Sequence, residues 1–344
     1  MQVSDSDPPR PSDATSSAGV DSVPGSDRVP PSEALSRPSE PPQGKIQLFL
    51  WRVGGLVITL RPHQWVKNVF VLAPMVFAHK MFVTDLLIRS IGALGVFCLL
   101  AGAVYTMNDL VDLEADRTHP VKRNRPLASG RVPLSWGRPV AVALVSVSLA
   151  GAAMGPSAFV ATALVYFVLN IAYSFRFKQV AYLDVAMIAA GFVLRVLAGG
   201  FATHTEVSTY MLLCTALLAF FLGLGKRRHE LAGVGRGKGK QRAALGGYTR
   251  RGLNWSLRVT ALLTIAAYVA YTFDPVTIGF FRSNNLWWTS VFVALGMWRF
   301  LVLARTRTKA ESPTQEILRD GPFVAIVFSW VGVVLWIVYN LEPG

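Results

Sequence analysis

The sequence predicts an all-α protein, a polytopic membrane bundle of about nine transmembrane helices. Three observations predict it. Hydrophobic residues make up 52% of the 344 positions and the mean hydropathy is +0.41, too apolar for an average soluble domain. Apolar runs of spanning length recur along the chain. Loops between them alternate between rich and poor in Lys and Arg.

Residues 1–44 are rich in Pro, Ser, Asp and Gly and poor in large apolar side chains, so they cannot bury enough surface to order themselves. They lack the basic-then-apolar pattern of a signal peptide and are expected to form a disordered cytoplasmic tail, leaving 45–344 as the membrane domain. Lys45 to Leu60 is apolar with scattered Arg, the pattern of an amphipathic interfacial helix. Spans are then expected at about 66–83, 86–107, 135–154, 157–175, 182–202, 208–225, 254–273, 286–304 and 322–341. Lys67, Asn68, Pro74, His79 and Lys80 interrupt the first.

The net charge is +14, yet only 16% of residues are charged, so the basic residues are concentrated. They cluster after every second span. One loop holds Arg117, Lys122, Arg123, Arg125 and Arg131; the next holds Arg176 and Lys178. Lys226 to Arg228 and Arg236 to Arg251 follow, then Arg305, Arg307, Lys309 and Arg319. The opposite loops carry little beyond Lys80 and Arg282. Positive charge stays inside, which expects these loops and the N-terminus in the cytoplasm, the C-terminus outside, and a multi-pass protein of the plasma (inner) membrane. A basic chain of this kind fits lipid better than nucleic acid, and no nucleic-acid partner is expected. Cys98 and Cys214 lie inside apolar runs as packed thiols, and no Cys/His spacing suggests zinc.

The chemistry concentrates in Asn108-Asp109-Leu110-Val111-Asp112-Leu113-Glu114-Ala115-Asp116-Arg117, at the end of the second span. Asp109, Asp112 and Asp116 fall at i, i+3 and i+7, one face of a continuous helix. Carboxylates so close repel one another unless a cation sits between them. Oxygen ligands of this kind suit Mg²⁺, which binds through one or two carboxylates and the phosphates of a substrate. Lys122, Arg123 and Arg125 follow closely enough to hold those phosphates. The bland alternative is a solvated helix face, but carboxylates abutting a span are expensive and usually functional. Asn108 belongs with this group, whereas Glu114 points off the face.

Further basic residues gather at the other span ends. Lys67 and Asn68 lie in Arg61-Pro62-His63-Gln64-Trp65-Val66-Lys67-Asn68. Two readings are open there: snorkelling beside an interfacial Trp, or binding of an anionic head group. Tyr173, Arg176 and Lys178 close the fourth span and Asp184 opens the fifth, as a positive-inside loop or a second basic wall. Arg195 falls mid-span, where a cation needs a partner or a wet cavity. Lys226 and Arg227 adjoin the sixth span in Gly225-Lys226-Arg227-Arg228-His229-Glu230. His63, His79 and His204 have no metal-binding spacing, and neither a P-loop nor a GxSxG elbow is present.

The string NDLVDLEADRTHPVKRNRPLASG resembles the first Asp-rich motif, NDxxDxxxD followed by RP, of the UbiA superfamily of intramembrane prenyltransferases. The resemblance covers roughly 50–341 and implies that family's helical bundle, with Asp109, Asp112 and Asp116 as Mg²⁺ ligands and a homo-oligomer, a trimer. A departure narrows it. Where typical members carry a second Asp-rich motif, this chain reads GLGKRRHEL. With RPHQWVKN and LRVLAGG, it is similar to the branch that transfers phosphoribose to polyprenyl phosphates. That branch implies 5-phosphoribosyl 1-diphosphate as donor and a polyprenyl (decaprenyl) phosphate as acceptor, on the way to cell-wall arabinan. Three anionic groups meeting in one pocket call for more Arg and Lys and fewer carboxylates, as this chain shows. The rival enzyme is a prenyltransferase with an aromatic or glycerol-phosphate acceptor, against which the basic GKRRHE speaks. A rival from another class, an anion carrier, would be expected to show inverted repeats, and none is visible.

Overall fold

The computed structural model describes residues 41–233, 243–306 and 320–340. Most of the expected tail (1–40), the run Arg236 to Arg242, and Arg307, Lys309 and Arg319 lie outside the described residues. Among the described residues every regular element is helical. In order they are α1 (Lys45–Thr59), a 3-10 helix (Pro62–Leu72), α2 (Ala73–Phe77), α3 (Thr84–Val111), α4 (Leu113–Thr118), α5 (Leu134–Ala153) and α6 (Ser157–Phe175). There follow α7 (Leu183–Thr203), α8 (Thr209–Gly233), α9 (Arg250–Phe273), α10 (Pro275–Phe281), α11 (Thr289–Thr306) and α12 (Gly321–Asn340). Seven of them, α3, α5 to α9 and the helix ending in α11, are long and apolar enough to cross a membrane, and α12 is apolar over Gly321–Ile337. The molecule is a multi-pass integral membrane protein.

The expected span at 66–83 is corrected: it is not a continuous α-helix. Pro62 and Pro74 each open a new helical segment, and Arg61 before the first takes a left-handed backbone (φ 52, ψ 60). The 11-residue 3-10 stretch is long for its kind. It still covers ground, because 3-10 helix rises about 2.0 Å per residue, about 22 Å in all. It packs against α3 and α7. The approach to α7 is close: a Cβ on Gly199 would lie 1.8 Å from the carbonyl oxygen of Val71, so only glycine fits there.

Three residues per turn align side chains at i and i+3, and the 3-10 helix uses this to present three distinct faces. Val66 and Val69 are exposed on the first, an apolar edge suited to lipid. Asn68, Val71 and Pro74 are buried on the second, the packing face. The third runs Arg61, Gln64, Lys67, Phe70 and Ala73, grading from charged to apolar; Arg61 and Gln64 line one cavity, and Phe70 and Ala73 line another.

Two buried clusters hold the bundle. Val71, Phe97, Tyr166 and Ala198 join the 3-10 helix to α3, α6 and α7. Val185, Phe221, Leu253 and Phe300 join α7, α8, α9 and α11. Small buried residues such as Ala93 and Ala101 on α3 let neighbouring helices approach. At one end of the bundle Lys178 reaches Asp112 (3.7 Å) and Arg227 reaches Asp184 (3.1 Å).

Candidate active site

Asp109, on the last turn of α3, and Asp116, on α4, are both buried. One guanidinium nitrogen of Arg125 lies 3.0 Å from Asp109 Oδ1 and 2.6 Å from Asp116 Oδ2. Arg61 donates to the same Asp109 oxygen at 2.5 Å and lies over the Tyr105 ring, 4.9 Å from its centroid. Lys122 stands 3.9 Å from Asp116. A cavity of about 380 Å³ opens beside this cluster, lined among others by Arg61, His63, Gln64, Asp109, Asn124 and Arg125.

The three-carboxylate face expected from i, i+3, i+7 spacing is corrected in its geometry. The helix breaks at Asp112, which caps α3 and starts α4 (φ −84, ψ 7). Asp109 and Asp116 converge across the break, while Asp112 is half-exposed and faces Lys178. Among the described residues no three His, Cys, Asp or Glu side chains close on one point. The donor set nevertheless fits Mg²⁺. Two carboxylate oxygens already share one cationic nitrogen, so a single cation can touch both, and Mg²⁺ needs only one or two carboxylates when substrate phosphates complete its shell. Arg125 stands in for that cation.

The remaining expected residues separate into groups. Asn108 is half-buried one position before Asp109, and its carbonyl accepts from the Asp112 N–H. Arg123 and Arg176 are exposed at the basic end, with Tyr173 half-buried near them. Arg195 finds the partners that sequence could not name. Its Nε donates to Asn68 Oδ1 (2.7 Å), and its two terminal nitrogens donate to the Gly191 carbonyl (2.8 Å) and the Tyr166 hydroxyl (2.7 Å). Its guanidinium also lies over the Tyr166 and Phe192 rings. Lys67 adjoins Asn68 and is exposed in a recess that it shares with other cations. Desolvation there, then repulsion from Lys226, Arg195 and Arg61, pushes its pKa down to about 8.

Arg227 and Asp184, expected among the substrate contacts, form an ion pair with each other. Both are fully buried. Arg227 also pairs with Glu230, one turn along α8. The Tyr248 hydroxyl donates to Asp184 Oδ1 (2.6 Å) and accepts from the Tyr182 N–H (2.7 Å), fastening the chain before α9 to the start of α7. Burial, then the bond to Asp184, pushes the Tyr248 hydroxyl well above the usual tyrosine pKa. With Arg227 turned inward, Lys226 is the cation of this run that faces Lys67.

A second cavity, of about 410 Å³, is almost wholly apolar. Phe70, Phe77, Phe221, Tyr268, Phe300 and Trp330 are among its walls. Sequence reasoning missed Arg61, Tyr166 and Tyr248. The first carried a signal in its position before Pro62 at a span entrance; the other two are single tyrosines in apolar or loop contexts, with nothing local to mark them.

Comparison with known proteins places this geometry among relatives. The sequence profile of the UbiA prenyltransferase family matches residues 68–319. The chain is 34% identical over 288 residues to decaprenyl-phosphate phosphoribosyltransferase of Mycobacterium tuberculosis, covering 82% of this chain and 93% of that protein. It is 37% identical over 224 residues to the enzyme of the same name from Corynebacterium glutamicum, covering 64% of this chain and 68% of that protein. Its fold matches the structure of a UbiA homolog from Archaeoglobus fulgidus bound to DMAPP and Mg²⁺, with TM-score 0.61 at 19% identity, covering 83% of this chain and 99% of that one.

Proposed function

The chain belongs to the UbiA prenyltransferase family, and from that premise we propose that it transfers 5-phosphoribose from 5-phosphoribosyl 1-diphosphate to a polyprenyl phosphate such as decaprenyl phosphate. The carrying observation is the cation-rich recess of Lys67, Arg195 and Lys226 beside the carboxylate pair, where a second Asp-rich motif would serve a diphosphate through metal. Two relatives named for this reaction, alike over most of their length, support the reading.

Asp109 and Asp116 would hold Mg²⁺ against the donor's diphosphate, with Asp112 close by. When bound, the metal supplies neutralisation of the leaving group. Arg125, Lys122 and Arg123 are placed to turn toward donor phosphates, and Arg61 to stay with Asp109. An oxygen of the acceptor phosphate attacks C1 of the ribose. The C1–O bond to diphosphate breaks, and diphosphate leaves with the bonding electrons. The attacking oxygen is already anionic, so the chain needs no general base and contributes position and electrostatics. The apolar cavity suits part of a polyprenyl chain. The Lys/Arg asymmetry orients the site to the cytoplasm, where a soluble phosphorylated donor is met.

The test is purified protein with Mg²⁺, donor labelled in the ribose and polyprenyl phosphate. Label entering the lipid phase supports the assignment. Label staying in water, together with turnover of a prenyl diphosphate on a phenolic acceptor, would replace it by the prenyltransferase reading.

A further inference from the structure

The molecule offers anions two chemically different seats. Around Asp109 and Asp116 a phosphate must be approached through a cation, because the carboxylates repel it. The recess around Lys67 has the opposite character. The cations that act on Lys67 there are Lys226, Arg195 and, from the carboxylate side, Arg61. Arg195 is 7% exposed, and its three hydrogen-bond partners, Asn68, the Gly191 carbonyl and Tyr166, are all neutral. A guanidinium buried mid-span is expensive and usually marks a substrate path or an ion pair. Here the hydrogen-bonded neighbours of Arg195 supply dipoles and no countercharge, so this guanidinium is preset for an anion.

Its position says which anion. On the graded face of the 3-10 helix, Arg61 and Gln64 line the carboxylate cavity, Phe70 and Ala73 line the apolar cavity, and Lys67 lies between them. Each three-residue step is about 6 Å. Phe70 packs edge-on against Phe192 (5.0 Å), and Phe192 lies beneath Arg195 (5.1 Å). The recess therefore joins the apolar cavity through an aromatic contact, and it lies one turn from the carboxylate cavity.

Building on the function proposed above, we propose that Lys67, Arg195 and Lys226 form a metal-independent seat for the phosphate monoester of the lipid acceptor, its first isoprene units passing Phe70 and Phe192 into the aromatic cavity. The donor's diphosphate then belongs at the Asp109–Asp116 pair, and the two anions meet across one helical turn.

The same three cations would also suit the donor's 5-phosphate, and the experiment separates the two. Full-length protein in nanodiscs is titrated with polyprenyl phosphate in excess EDTA and, separately, with donor in Mg²⁺. Lys67→Ala and Lys226→Ala are compared with native protein, with the unfolding midpoint of each variant as the control for folding. Native protein should bind polyprenyl phosphate equally with and without EDTA. Each alanine variant should weaken that binding by about 10- to 100-fold, as expected for a lost charge-assisted contact. Donor affinity should change by less than about threefold, and Lys67→Arg should recover most of the loss. Polyprenol, lacking the phosphate, should not distinguish native from variant, and inorganic phosphate should compete only weakly. Loss of acceptor binding in EDTA overturns the proposal. So does a variant that weakens donor alone, or neither ligand. EDTA-resistant, Lys67-dependent binding without transfer of ribose would leave the seat standing and remove the proposed reaction instead.

Discussion

Arg227 and Asp184 face each other at 3.1 Å, 1% and 0% exposed, across the join between α8 and α7. Removing one member of a buried pair strands the other charge, which costs about 3–5 kcal/mol. Arg227→Ala should therefore lower the unfolding midpoint in detergent markedly, whereas Arg123→Ala, at an exposed position, should shift it little. An Arg227→Ala protein as stable as native would mean that this guanidinium is free for substrate.

Asp109→Asn should cut turnover by orders of magnitude without unfolding the protein. Metal stabilisation of the leaving group is worth several kcal/mol, and about 1.4 kcal/mol is tenfold in rate. Single-turnover rates with and without added Mg²⁺ measure it. Near-native rates for Asp109→Asn and Asp116→Asn alike would remove the carboxylate pair from the chemistry.

Arg125→Met should move two quantities in opposite directions. The guanidinium now competes with metal for Asp109 and Asp116. Without it, Mn²⁺ binding in the absence of donor should tighten by about tenfold or more, the scale of one charge-assisted hydrogen bond. Donor kcat/KM should fall. Paramagnetic resonance of free Mn²⁺ reads the first and steady-state assay the second; a drop in both would mean that Arg125 shapes the site rather than occupying it.

Lys67 gives the acceptor step a pH signature. Its free pKa is about 8. A bound phosphate favours the ammonium, so the bound pKa is higher and binding takes up a proton. Acceptor affinity should then weaken as pH rises above about 8, by up to about tenfold per unit. In Lys67→Arg the fall should vanish, since a guanidinium stays charged. Dissociation constants between about pH 7.5 and about 9.5 decide it; a fall retained in Lys67→Arg would assign the titration elsewhere.

On a cysteine-free background, a cysteine at Ala115 should label from the cytoplasm and one at Asn284 from outside. Both positions are exposed at opposite ends of the bundle, and the Lys/Arg asymmetry sets the direction. Outside labelling at 115 would face the donor site away from its supply.

Much of this was legible in the sequence because spanning helices are declared by length and apolar content alone. α3, α5 and α6 start or end within a few residues of the expected bounds. What was illegible depended on contacts between distant segments. Asp112 belongs to the helical period by spacing, but a break at that residue takes it out of line. Arg195 announced a need for partners, and Asn68 and Tyr166 are 127 and 29 positions away. Arg227 and Lys226 are neighbours of like charge, and only the position of Asp184 turns one inward and leaves the other facing the recess.

The 3-10 helix imposes a rule on how this stretch can change. Deleting one residue between Arg61 and Ala73 turns everything beyond it by about 120°. The face meeting lipid would then be exchanged with the packing face or with the one that grades from Arg61 to Ala73. Deleting three restores every direction and shortens the path by one step. Length variation here should therefore be tolerated in triplets, like a reading frame written into the fold, and single-residue changes should be lost even where every side chain type is kept.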